Sequence, residues 1–167
     1  MSEPALRKAL PFLTFGIIAA VTASAAATSA HVLGFLPWTM FIGWLAWFTR
    51  PTSARQGLAT WSCVLCGTSL GALAVTALGI LTPSLGIYAL SLVVLIVTVG
   101  VVSMRAVRFF DNIPAWFLGL VAFFAAHMEP GLSSIAQLGA SAAIGVAAGW
   151  LAQQLQRRAL PKLSSAA

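Results

Sequence analysis

Nine Lys and Arg residues fall in four small groups along 167 positions, and the chain between the groups is apolar. The groups are Arg7 and Lys8, Arg50 and Arg55, Arg105 and Arg108, and Arg157, Arg158 and Lys162. Only 7% of the residues are charged, against about 25% in an average soluble domain. That is too little charge to cover a water-facing surface. A hydrophobic content of 60% and a mean hydropathy of +0.97 agree. These values exclude a soluble enzyme, a disordered tail and a disulfide scaffold. They predict an all-α integral membrane protein with one transmembrane domain over residues 1–167.

A bilayer core of about 30 Å takes about 20 apolar residues per helix. Six apolar stretches qualify as spans: Leu10–Leu33, Pro37–Thr49, Leu58–Leu81, Leu85–Met104, Pro114–Ala126 and Leu132–Leu155. The second and fifth are short for a straight crossing. Six crossings put all nine cations in the tails and in the second and fourth loops, on one side. The opposite loops hold none. By the positive-inside rule both termini are expected in the cytoplasm. The net charge of +6 then reports topology, and no nucleic-acid partner is expected. Residues 1–30 resemble a secretory signal. Removing them would leave five spans and upset the charge pattern, so they are read as a retained first helix.

Spans two and five resemble each other. Pro37-Trp38-Thr39-Met40-Phe41-Ile42-Gly43-Trp44-Leu45-Ala46-Trp47-Phe48 parallels Pro114-Ala115-Trp116-Phe117-Leu118-Gly119-Leu120-Val121-Ala122-Phe123-Phe124 at an offset of 76 or 77. Gly67-x-x-x-Gly71 parallels Gly145-x-x-x-Gly149 at an offset of 78. The spacing predicts two three-helix repeats, at about 10–81 and 85–155. Because three is odd, the second repeat is inverted. Sites in such proteins lie near the midplane, where short, Pro- or Gly-interrupted segments of both repeats meet. Pro37 and Pro114 are therefore expected to open helices whose free N–H groups face a site.

Aromatic residues crowd the short spans. Trp38, Phe41 and Trp44 share one helical face with Phe48. With Trp116, Phe117 and Phe124 they are candidates to line a pore, and interfacial anchoring is the plainer alternative. Thr39 and Gln137 are the candidate polar contacts. A buried amide such as Gln137 needs several partners. The glycine pairs allow close helix approach. Cys63 and Cys66 sit in an apolar helix without neighbouring His or carboxylate, so no metal or other cofactor is expected. The acids are Glu3, Asp111 and Glu129, none in mid-span. This argues against proton- or sodium-coupled pumping. His31, His127 and Glu129 fall on the non-cytoplasmic side, where they are either solvated loop residues or an external pH gate.

The block Phe41-Ile42-Gly43-Trp44-Leu45-Ala46-Trp47-Phe48, with Pro51 and Gly57-Leu58 after it, resembles the bacterial inner-membrane family of domain of unknown function 1097. The block Ile113-Pro114-Ala115-Trp116-Phe117-Leu118-Gly119 and the Gly-rich last helix fit it too. The resemblance covers about residues 35–155. It implies a small multi-pass protein of the bacterial inner membrane and no settled activity. In size and span number such proteins are similar to small-solute channels, including the six-span urea-channel class. The expectation is a passive channel or facilitator for a small neutral or weakly polar solute, of the urea, short-amide or ammonia class, working as a homo-oligomer in the lipid bilayer. No enzyme activity is expected. The alternatives are a secondary transporter of a small organic anion and a non-transporting scaffold or accessory subunit.

Overall fold

A computed structural model describes the backbone of residues 3–50 and 53–164 and the side chains of residues 11–50 and 53–159. The described chain is helical, with no strand among the described residues. The helices are α1 (Glu3–Val32), α2 (Pro37–Thr49), α3 (Ala54–Leu85), α4 (Tyr88–Ser103), α5 (Ile113–Ala126) and α6 (Leu132–Ser164). A single 3-10 turn, Met104–Ala106, follows α4.

Segments within α1, α3, α4 and α6 are long and apolar enough to cross a membrane. With 13 and 14 residues, α2 and α5 extend only about 20 Å. Large apolar side chains cover the outside, among them Phe12, Ile17 and Val21 on α1 and Val94, Leu95 and Ile96 on α4. Water does not tolerate so continuous an apolar surface. Hydrocarbon does.

Polar signals set the helix ends. Apolar counting starts the third span at Leu58, but α3 begins four residues earlier. There Ser53 caps it and accepts the Gln56 N–H. Pro83 lies inside the last turn of α3 without ending it. Gly86, at φ 54°, ends it. Similarly, α6 continues past Leu155. Gln156 is buried there and donates to the Phe15 carbonyl of α1 at 3.2 Å.

The tightest seams join α2 to α6 and α3 to α5. Against α6 also lies α1, and against α3 lies α4. Glycine makes both tight seams. A Cβ added at Gly43 would overlap the Ala142 carbonyl, and one at Gly145 the Met40 carbonyl. In the other seam, one at Gly119 would overlap the Val64 carbonyl, and one at Gly67 the Trp116 carbonyl. Each contact of the first seam is matched in the second by residues 76 or 78 positions away.

Overpacking at such a contact costs about 1–3 kcal/mol. Gly119→Ala should therefore lower the melting temperature in detergent clearly. Gly79→Ala, on the same kind of apolar helix but with open space around it, should leave it unchanged. Equal behaviour of the two variants would show that the seam is not what holds α5.

Candidate functional site

The last turn of α2 carries Trp47 into a gap between α3 and α6. Its ring lies against Gly57 of α3 and Gly149 of α6, where an added Cβ would strike it. Trp61 of α3 reaches across to α6, its Nε1–H donating to the Gly139 carbonyl at 2.9 Å. With Trp150 and Val146 of α6, these residues line an open-sided cavity of about 330 Å³. That volume is at the lower end for small-molecule sites, about 300–1,000 Å³. No charged side chain among the described residues lines it. Trp47 is 1% exposed, and its Nε1–H has no acceptor among the described residues. The cavity thus offers aromatic surface, and one of the rings in its wall keeps a buried N–H without a partner.

A polar clasp closes the nearby end of the bundle. Asn112 caps α5 by accepting the Ala115 N–H. Its Nδ2 donates to Thr49 of α2 at 2.8 Å and to Thr60 of α3 at 3.1 Å. One side chain therefore ties three helices. Beside it Arg50 pairs with Asp111, joining the α2–α3 connection to the α4–α5 connection. The hydrogen bond from Arg50 holds the Asp111 carboxyl below its ordinary value, and the same bond holds Arg50 above its own.

The residues expected to line a pore do not converge. Thr39 is buried, its Oγ1 lying 2.6 Å from Ser141 Oγ of α6, and both hydroxyls reach the Leu36 carbonyl. Trp116 is buried and donates to the Phe110 carbonyl at 2.9 Å. Trp44 packs beside buried Met40 and stacks obliquely on Phe48. Trp38 and Phe41 face outward. Phe117 and Phe124 line a separate apolar cavity of about 180 Å³ between α3, α4 and α5. Gln137 is half-buried on α6. Pro37 and Pro114 do open α2 and α5. Yet the helix starts are served by local groups, since the Thr39 N–H bonds Leu36 and the Ala115 N–H bonds Asn112. His31 is exposed in the last turn of α1, His127 is the left-handed cap of α5, and Glu129 is exposed. These lie at the opposite helix ends from Arg50 and Asp111.

Sequence reasoning passed over Trp47, Trp61, Trp150 and Asn112. Trp47 falls off the face shared by positions 38, 41, 44 and 48. A better signal was the pairing of a large ring with glycines on two other helices, Gly57 and Gly149. Cys63 and Cys66 are free thiols, and no group of three metal-ligating side chains occurs among the described residues.

The depressed carboxyl fixes the sign of a pH effect. A group whose folded-state value is lowered stabilises fully above its unfolded value and loses that contribution as pH falls through the folded one. The Asp111 contribution should hold from neutral pH to about pH 5, decline as pH falls below the ordinary 3.8 and vanish below the lowered folded-state value. Melting curves should show Asp111→Asn less stable at neutral pH and less sensitive to acid than the parent. Parallel acid curves for the two proteins would deny the pair any role.

No curated protein and no solved structure matches the chain. The family of proteins of unknown function DUF1097 matches it over residues 13–157. With most of its length inside that match, the chain belongs to the DUF1097 family.

Proposed function

We propose that this chain binds a small neutral or weakly polar solute in the membrane and lets it pass, as a channel or facilitator. The observation that carries the reading is the cavity of Trp47, Trp61 and Trp150, whose wall includes the buried, unpartnered Trp47 indole N–H. An apolar wall excludes ions, because an unpaired charge there would lose its hydration without compensation. Once a small shift of the ring exposes it, that donor suits the carbonyl of urea or a short amide. It would not satisfy a carboxylate, which makes an organic anion the poorer fit.

In this reading the chain is two inverted three-helix repeats, α1–α3 and α4–α6, that exchange their short helices. The matched glycine contacts support it, since α2 seats on α6 as α5 seats on α3. The cavity then lies between the exchanged bodies, where α3 faces α2 and α6. One-sided placement of the cations supports both termini in the cytoplasm and a bacterial inner-membrane location.

One observation favours a non-transporting scaffold instead. Ala46 of α2 and Ala115 of α5 are both fully buried in one apolar core with Val64 and Leu120. The approach of the two short helices is therefore dry.

Flux into proteoliposomes separates the two readings. Urea, acetamide or ammonia should enter faster than into empty vesicles. Trp47→Phe, which removes the donor, should slow entry by about fivefold, the worth of one net hydrogen bond. Rates equal to those of empty vesicles for all three solutes would leave the scaffold.

A further inference from the structure

A second cavity, of about 520 Å³, lies where the α2–α3 and α4–α5 connections come together. Arg50, Arg55 and Arg108 all line it, with Ser53, Gln56 and Phe109. No acidic side chain among the described residues lines it, and Asp111 beside it is engaged by Arg50. Three guanidinium groups thus share one concave surface against one carboxylate. Like charges gathered in a hollow repel unless an anion sits among them. Arginine forks match the oxygens of a phosphate in two-point hydrogen bonds. A single carboxylate has too few oxygens for three such forks, whereas a tetrahedral phosphate presents several faces. The 32-residue helix α3 also starts at this cavity and adds the positive end of its dipole.

We propose that the arginine cavity binds a phosphate group, presented by an anionic lipid headgroup or by soluble phosphate. It lies on the face of α3 opposite the tryptophan cavity, so the two sites are separate.

The test uses the full chain in phosphatidylcholine nanodiscs, with either phosphatidylglycerol or inorganic phosphate added. Melting temperature and lipid retention by native mass spectrometry are the readouts. The parent protein should bind the added anionic phosphate, against the zwitterionic phosphatidylcholine background, at least about tenfold more tightly than Arg55→Gln/Arg108→Gln does. Arg157→Gln/Arg158→Gln, which removes equal charge from exposed positions of α6, should behave as the parent. If the first double variant does not fold, Arg55→Gln alone should show about a threefold loss. A response to phosphatidylglycerol alone assigns a lipid headgroup. A response to inorganic phosphate without that lipid assigns a soluble ligand. No response to either, or an equal loss in both double variants, overturns the proposal.

Discussion

Backbone-to-backbone contact at Gly43, Gly67, Gly119 and Gly145 is the constraint on which the rest of this molecule depends. Inside a bilayer, apolar side chains gain little by meeting one another, because lipid tails are as apolar as they are. What remains is close van der Waals packing and a few hydrogen bonds between helices. A helix of 13 or 14 residues cannot be held by spanning alone. Glycine lets α2 and α5 settle onto α6 and α3 closely enough to be held by packing. Thr39 with Ser141, and Asn112 with Thr49 and Thr60, then fix the register.

Where the two seams differ, a cavity opens. At matched places, Trp47 seats on Gly149 and Phe123 on Gly71. The second neighbour of Trp47 is Gly57, whereas the matching position near Phe123 is Ile135, which packs onto the same cluster. Ile135 fills its space, and Gly57 leaves room for a larger indole and a void beside it. Trp61 and Gly139, matched to each other, are joined by a hydrogen bond. The near-symmetry builds the frame, and its failure at Gly57 makes the cavity.

Much of the frame could be read from the sequence. Length and hydropathy located the apolar helices, and α2 spans the expected Pro37–Thr49. The G-x-x-x-G pairs announced close approach but not their partners. Nothing in the order of residues tells that Gly145 meets Met40 while Gly67 meets Trp116. The site residues were harder to read for the same reason. Periodicity groups side chains that share one helix face, and it favoured Trp38, Phe41 and Trp44. The cavity instead joins residues from three helices, which no single periodic pattern contains. Asn112 was invisible because one amide caps its own helix while bridging two others.

The charged residues bear on how the two proposed bodies could move. The α2–α3 connection is tied to the α4–α5 connection by Arg50 with Asp111 and by Asn112 with Thr49 and Thr60. At the other end, His31 and His127 are exposed, and no ion pair joins the helices there among the described residues. If the bodies rock, the clasped end is the hinge and the histidine end opens. Spin labels at positions 31 and 127 should therefore give a broader distance distribution than labels at 55 on α3 and 157 on α6. Equal widths at both ends would mean that the clasp does not govern the motion. A hinge beside the tryptophan cavity would let small rotations widen its far side while Trp47 stays seated between its two glycines.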